Sequence, residues 1–144
     1  MDEEVSGRTV LVVDDDRDIR DALSDVLNDE SYIVVCAADG EEAIARLRSP
    51  PRPAVVLLDW MMPRCDGACF LRHQRADPVL ATIPVVLLTA DPRALAHARE
   101  TGVQAGIAKP VSLDELLTVI ARYTGRARSD ASAQTSGKGS VTPA

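Results

Sequence analysis

The stretch that decides the fold is VVLLDWMMPRCDG, residues 55–67, in which four apolar residues lead directly into a single acid, Asp59. The chain then meets Pro63 and Gly67, two residue types that are common in turns. Because the apolar residues are consecutive and do not alternate with polar ones, they predict a strand buried on both faces of a parallel sheet. Its own segment offers the carboxylate at the strand end no obvious partner, so the role of Asp59 depends on the rest of the chain.

Length and composition exclude several classes of protein. The chain has 144 residues and a net charge of −6, with 22 acidic against 16 basic residues. This balance, and the lack of a Lys/Arg cluster, argue against direct binding of nucleic acid. No apolar run approaches the roughly 20 residues of a membrane helix, and the acidic N-terminus lacks the features of a secretory signal. We therefore expect a cytoplasmic protein with no membrane insertion.

Apolar runs and helical patterns alternate five times along the chain. The runs are TVLVV (9–13), YIVVCA (32–37), AVVLL (54–58), IPVVLLT (83–89) and VQAGIA (103–108). Five βα units with right-handed crossovers predict an α/β domain, a doubly wound five-stranded parallel sheet. The segments expected are an N-terminal extension (1–8), one domain (9–124) and a disordered polar tail (125–144).

Capping residues and apolar spacing predict where the helices begin and which faces they bury. The predicted caps are Asp16, Asp39 with Glu42, Asp66, Asp91 with Pro92, and Ser112 with Glu115. The residues expected to face the core are Ile19, Ala22, Leu23, Val26, Leu27, Ala43, Ile44, Leu47, Phe70, Leu71, Leu95, Ala98, Leu113, Leu116, Leu117 and Ile120.

Several polar residues follow the predicted strands, at the sheet edge where parallel sheets bind ligands. They are Asp14 and Asp15 after the first strand, Asp59 after the third, Thr89 after the fourth and Lys109 after the fifth. Taken singly, the acids are also typical helix caps, Thr89 a satisfied strand-end hydroxyl and Lys109 a solvated loop charge. Taken together at one edge, they indicate a shared pocket.

The chemistry of such a pocket favours a metal and a phosphoryl group. Two carboxylates about 4 Å apart repel by about 4 kcal/mol at an effective dielectric constant of about 20, so three of them raise one another's pKa or recruit a cation. All candidate ligands are oxygens, which suits Mg²⁺. A metal, a lysine and a hydroxyl around one carboxylate form a receptor for a phosphoryl group, which the carboxylate can attack.

The cysteines are Cys36, Cys65 and Cys69. Their odd number and the expected location favour free thiols. Cys65, Cys69 and His73 fall at four-residue steps, but three ligands without a fourth make a poor zinc site. We expect ordinary thiols and two exposed histidines, His73 and His97.

Four motifs together resemble the receiver domain of two-component response regulators over residues 9–124. They are LVVDDD, VVLLDWMMPRCDG, VVLLTA and the Lys109–Pro110 pair, in this order. The resemblance implies a flavodoxin-like sheet with strand order 2-1-3-4-5. It also implies that Asp59 accepts a phosphoryl group from a histidine kinase or a histidine phosphotransfer protein.

The resemblance further implies the ligands of the pocket. Mg²⁺ would be bound by Asp15, Asp59 and the backbone carbonyl of Met61, with Asp14 acting largely through water. Thr89 would donate its hydroxyl to the phosphoryl oxygens, and Lys109 would pair with them.

The chain departs from the family pattern at two positions. Thr89 and Gly106 occupy the family's switch positions, and the family usually has an aromatic residue where Gly106 stands. Val111 stands where a Phe often follows Lys-Pro. Gly106 and Val111 both lie outside the acid pocket, so phosphorylation should survive, whereas the aromatic relay to the output face lacks its usual ring. Switching would then use backbone shifts, and a glycine adds backbone freedom.

Three hypotheses of function follow. The leading one is a stand-alone receiver, a self-phosphorylating and self-dephosphorylating switch and not a metabolic enzyme, which acts on an unknown downstream protein. A fragment of a longer regulator would have the same sequence, and a receiver-like binding module that never uses phosphorylation is the second hypothesis. The third is a Mg²⁺-dependent phosphatase with an aspartyl nucleophile, but Met61 stands where such enzymes typically carry a second acid.

Overall fold

The computed structural model describes residues 7–62 and 64–125, and its five parallel strands form one sheet in the order β2-β1-β3-β4-β5. The strands are β1 Thr9–Val13, β2 Ile33–Ala37, β3 Val55–Asp59, β4 Val85–Thr89 and β5 Ala105–Ala108. The helices are α1 Arg17–Asp29, α2 Gly40–Arg48, α3 Gly67–Ala76, α4 Pro92–Ala96 and α5 Leu113–Thr124, with short 3₁₀ turns at Leu80–Thr82 and Arg99–Thr101. The predicted doubly wound, flavodoxin-like fold and its strand order are confirmed.

Residues 1–6 of the predicted extension and 126–144 of the predicted tail lie outside the described residues, so both segments stay predictions. Within the described part of the chain, no helix has the length and apolar character needed to cross a bilayer.

The sheet is covered on both faces, and β3 shows how. Alternate residues of a strand point to opposite faces. Val56 and Leu58 therefore pack with α2 and α3, whereas Val55 and Leu57 pack with α1 and α5, and all four are fully buried. Each such side chain contributes about 1.5–3 kcal/mol of hydrophobic free energy. The central strands β1, β3 and β4 are thereby held rigidly beneath their carboxyl ends.

Some positions that were expected to be buried are exposed or only partly buried. β2 is an edge strand, and its Ile33 is 52% exposed. Leu113 is 48% exposed because it is the first residue of α5, and Ala22 is exposed on the outer face of α1. Leu95 is only partly buried in α4, which ends one residue later at Ala96.

The predicted caps begin the helices, and the parallel direction of the strands places every strand-to-helix connection at one edge of the sheet. The Asp16 carboxylate accepts hydrogen bonds from the backbone of Asp18 and Ile19 at the start of α1. Asp39, Asp66, Asp91 and Ser112 cap α2 to α5 in the same way. In α2 the reciprocal bond differs from the prediction, since the Glu42 side chain accepts from the Ala38 N–H and not from that of Asp39.

Candidate functional site: an acidic cleft at the carboxyl edge of the sheet

The register of two neighbouring strands brings the predicted carboxylates together. Val13 of β1 pairs with Leu58 of β3, so the residues that follow them, Asp14 and Asp59, lie side by side. One carboxylate oxygen of each of Asp14, Asp15 and Asp59 lies within 4.8 Å of the others. Asp14 is 2% exposed and Asp59 is 7% exposed, whereas Asp15 is exposed to solvent. The cluster therefore has two buried members and one that faces outward.

Lys109 supplies the only positive charge that the described residues place in ion-pair contact with this cluster. Its Nζ lies 3.1 Å from Asp59 Oδ1 and 3.5 Å from Asp14 Oδ2. The backbone N–H of Lys109 donates to the carbonyl of Thr89 across 2.9 Å, which fixes the backbone of Lys109 beside the end of β4. The side chain then reaches past the end of β4 to Asp59, the last residue of β3, and to Asp14, which follows β1.

Burial and neighbouring charges shift both partners of the closer ion pair. Burial raises the pKa of Asp59, and the Asp14 and Asp15 charges add to this rise, while the hydrogen bond and charge of Lys109 oppose it. Burial acts to lower the pKa of Lys109, but the attraction of Asp59 and Asp14 outweighs it, so the net shift is upward. Three carboxylates and one ammonium leave an excess of negative charge, which a divalent cation would neutralise.

Thr89 completes the set from the end of β4, where it is 3% exposed. Its hydroxyl oxygen accepts the backbone N–H of Asp91 across 3.0 Å. Because the oxygen accepts in this contact, the hydroxyl proton is left to be donated to a ligand. Thr89, Lys109, the three acids and Met61 all line one open cleft of about 520 Å³.

The remaining predicted positions are placed as follows. Met61 lines the cleft with a side chain that is 68% exposed, and the metal-binding role of its backbone carbonyl stays a prediction. Gly106 pairs with Leu87 of β4, away from the cleft. A Cβ on Gly106 would lie 2.7 Å from Leu95 Cδ1, so a leucine of α4 fills the space next to the glycine.

Sequence reasoning missed one neighbour of the site, Arg20, and one contact of Gly106, the side chain of Leu95. Arg20 donates from its guanidinium to the backbone carbonyl of Asp14 across 2.8 Å, and it thereby brings a second cation near the buried end of β1. Its position one helical turn after the cap Asp16 is a signal that the sequence offers. Leu95 was expected in the core, but its contact with Gly106 depends on how α4 packs on β5, which no local pattern reveals.

The expectation of three free thiols is wrong, because Cys65 and Cys69 form a disulfide. Cys65 directly precedes the cap of α3 and Cys69 lies in its first turn, so the helix start brings their Cα atoms to 5.1 Å, within the range that a disulfide spans. Cys36 is free, as predicted, and His73 and His97 are exposed. The bonded sulfurs are not thiolates, so as they stand Cys65, Cys69 and His73 are not a zinc site.

Comparison with known proteins agrees with this geometry. A family model described as the response regulator receiver domain matches residues 10–121. The chain belongs to the response regulator receiver family. Among curated relatives, the phosphate regulon transcriptional regulatory protein PhoB of Escherichia coli is 37% identical over 116 residues, covering 79% of this chain and 50% of the relative. The response regulator MprA of Mycolicibacterium vanbaalenii is 41% identical over 112 residues, covering 75% and 46%. This receiver therefore spans about half the length of the curated relatives it matches.

Solved receiver structures share the fold. The chemotaxis protein CheY4 of Vibrio cholerae is 32% identical with a TM-score of 0.72, over 80% of this chain and 97% of that one. The receiver domain of the sensor histidine kinase PA1611 of Pseudomonas aeruginosa is 28% identical with a TM-score of 0.73, over 83% and 98%. In that relative a magnesium ion is coordinated in the active-site cleft. The all-oxygen cluster of Asp14, Asp15 and Asp59 fits the same hard cation.

Proposed function

We propose that this receiver is a phosphorylation switch whose phosphoacceptor is Asp59. The observation that carries the proposal is the placement of Asp59 between two acids and Lys109 in an open cleft. A buried carboxylate in such a position is reachable from solvent on one side and is surrounded by groups that favour a cation and a phosphoryl group. The donor would be the phosphohistidine of a histidine kinase or of a histidine phosphotransfer protein.

The transfer is a displacement at phosphorus. A carboxylate oxygen of Asp59 attacks, the new P–O bond forms, and the P–N bond to the donor imidazole breaks, so that the histidine leaves. Asp59 reacts in its ionised form, and the ion pair with Lys109 favours that form against the effect of burial. Hydrolysis of the same acyl phosphate would return the switch to its resting state.

The proposed ligands divide into a metal group and a phosphoryl group. Asp15, Asp59 and the Met61 carbonyl would hold Mg²⁺, with Asp14 acting largely through water. The ion supplies positive charge that neutralises the transferring oxygens when it is bound. Thr89 donates its hydroxyl proton to a phosphoryl oxygen. This proton is free, because the hydroxyl oxygen only accepts in its bond from the Asp91 N–H. Lys109 contacts the same group from the β5 side.

The proposed setting is cytoplasmic, and the proposed output is binding to another protein or passage of the phosphoryl group along a relay. The chemistry serves signalling and not metabolism, since each molecule phosphorylates and dephosphorylates only itself. The stand-alone hypothesis stays a prediction, and so does the hypothesis of a fragment. Direct binding of DNA by this receiver is not part of the proposal, because its net charge is −6.

Trp60 gives a direct test, because it is the only tryptophan and follows the proposed acceptor. Mg²⁺ should change its fluorescence, and acetyl phosphate or beryllofluoride should change it further. Acetyl phosphate should also increase the mass of the protein by one phosphoryl group. Asp59→Asn should abolish the second response and the mass increase. Asp66→Asn is the matched control, since it alters a nearby acid that caps α3 and lies outside the carboxylate cluster. A phosphodonor that leaves the intact protein unchanged would contradict the proposal.

A second candidate is a receiver-like module that binds partners without phosphorylation. It is favoured by Gly106, which leaves the usual aromatic relay absent, and by Leu95, which already packs against the glycine. This module would bind its partner equally well as wild type and as Asp59→Asn, whereas the phosphorylation switch requires different affinities.

A further inference from the structure

The disulfide lies in the connection that leads from the proposed phosphoacceptor to α3. It joins Cys65, six residues after Asp59, to Cys69 in the first turn of the helix. On the α3 side the bridge is anchored, because the Cys69 N–H donates to the Asp66 carboxylate across 3.0 Å. The bridge therefore links the start of α3 to the connection that follows Asp59.

Cys65 is clamped by a second helix. Its sulfur is buried, and the residue is 5% exposed. Its carbonyl accepts the N–H of Gly40 across 2.7 Å, and a Cβ on Gly40 would lie 2.6 Å from the sulfur. The first residue of α2 thus packs directly on the bridge, which lets the bridge stiffen the contact between α2 and α3.

Cys69 is the more exposed member of the pair. It is only partly buried, and it lies one helical turn before the exposed His73. His73 Nδ1 contacts the Cys69 carbonyl across 2.9 Å, and because a carbonyl only accepts, this ring nitrogen carries the proton. The same nitrogen lies 3.7 Å from the Cys69 sulfur. This donor and the N–H groups of the first turn place partial positive charge near the sulfur, and the Asp66 carboxylate offsets part of it.

The bridge also bears on the metal ligand expected in this connection. Trp60 is the first residue of this connection, and its carbonyl accepts the Gly67 N–H across 3.1 Å. Met61 follows directly. Closing the bridge restrains the same connection at its other end. Fewer conformations are then open to the Met61 carbonyl before a cation binds, so cation binding costs less conformational entropy.

We propose that Cys65 and Cys69 are a reversible dithiol–disulfide pair whose oxidation speeds phosphorylation of Asp59. The inference rests on the proposed function and on the proposed cytoplasmic setting, where disulfides are usually transient or redox-sensing. A peroxide is the oxidant: the Cys69 thiolate takes one peroxide oxygen and releases an alcohol or water, and the Cys65 thiol then displaces water to close the bridge. A dithiol is the reductant: it attacks the Cys69 sulfur, releases Cys65, and then frees Cys69 while becoming a disulfide itself.

The first test measures the pair without reference to phosphorylation. The full chain is equilibrated in mixtures of oxidised and reduced dithiothreitol, alkylated, and analysed by peptide mass. We expect one reversible two-electron transition that maps to Cys65 and Cys69, with Cys36 alkylated throughout. A pair that stays reduced under peroxide, or that takes up added Zn²⁺ in place of oxidising, would overturn the proposal.

The second test measures the coupling. The oxidised protein should be phosphorylated by acetyl phosphate at least about fivefold faster than the reduced protein. Cys69→Ser should react at one rate under both conditions, whereas Cys36→Ser, which alters the thiol outside the bridge, should keep the difference. Equal rates in the oxidised and reduced wild type would overturn the coupling alone. Absence of phosphorylation in both states would overturn the proposed function, and the coupling with it.

Discussion

Lys109 Nζ lies 3.1 Å from Asp59 Oδ1 and 3.5 Å from Asp14 Oδ2, so one ammonium bridges two buried acids that belong to neighbouring strands. The lysine follows β5, which lies two strands away from β3 in the sheet. The arrangement balances only part of the negative charge, because Asp15 belongs to the same cluster. The resting site is therefore electrostatically costly, and this has measurable consequences.

Asp59→Asn should stabilise the metal-free protein at about pH 7. The pKa of Asp59 is raised above its ordinary value of 3.8, so the folded state disfavours the charged form, and stability is lost as the pH rises through this range. Asparagine is uncharged, so the folded variant does not carry the cost of a buried carboxylate charge at position 59. The gain should shrink as the pH falls toward 3.8, because wild-type Asp59 is then protonated as well.

Urea unfolding with a chelator present, at neutral and acidic pH, measures this difference. Asp25→Asn, which removes one exposed acid from α1, is the control and should leave stability nearly unchanged. An Asp59→Asn protein that is no more stable than wild type at neutral pH would show that Lys109 fully compensates the cluster.

Lys109→Met should lower the free energy of unfolding by about 1–2 kcal/mol at neutral pH, because it leaves two buried carboxylates without a cation. The pKa of Lys109 is raised above 10.5, so its contribution is fully present below that value and is lost as the pH rises through the folded-state pKa. The free energies of unfolding of wild type and variant, plotted against pH, should therefore converge in strong alkali. Chemical unfolding across the alkaline range tests this, and Lys109→Arg, which keeps the charge, should lose less.

Thr89→Ala should weaken beryllofluoride binding about tenfold or more, because a hydrogen bond to a charged ligand is lost. Thr89→Ser keeps the hydroxyl that accepts from the Asp91 N–H, so it should bind nearly as wild type does. Titration followed by Trp60 fluorescence compares the two. Equal affinities for the alanine and serine variants would exclude a direct contact between Thr89 and the phosphoryl mimic.

Gly106→Ala should destabilise the protein by less than about 1 kcal/mol, because the new methyl group meets Leu95 Cδ1 at 2.7 Å and this partly buried side chain must shift to make room. In a Leu95→Ala background the same change should become neutral or stabilising, because the methyl then fills vacated space and alanine loses less backbone entropy than glycine. A double-mutant cycle by urea unfolding gives the coupling free energy. Additive effects of the two substitutions would show that Leu95 does not occupy the place next to the glycine in solution.

Local patterns predicted much of this molecule because their physics is local. Consecutive apolar residues specify a strand covered on both faces, and Asp16 or Asp91 specifies a helix start through bonds to residues two or three positions away. Parallel strands then carry their carboxyl ends to one edge, so the meeting of Asp59, Thr89 and Lys109 followed from the order of elements.

Edge positions and covalent pairing were harder to predict. Ile33 looked like a core residue because its run is apolar, yet β2 has a neighbour on one side only. The cysteine count suggested free thiols, whereas the start of α3 brings Cys65 against Cys69. The two errors have different causes. Hydropathy contains no information about which strand lies at the edge of the sheet, whereas the four-residue spacing of Cys65 and Cys69 was visible in the sequence and the odd cysteine count and expected location led to the prediction of thiols.

The amino-acid order alone determined the α/β architecture, the helix starts and the set of polar residues at the ligand-binding edge. Only the tertiary structure decided that Asp14 is buried while Asp15 faces solvent, that Lys109 contacts Asp14 across 95 positions of chain, and that Leu95 lies against Gly106. The physical reason is range. Capping and periodicity act within a few residues, whereas burial, ion pairing and side-chain packing depend on distances between segments that only the folded chain brings together.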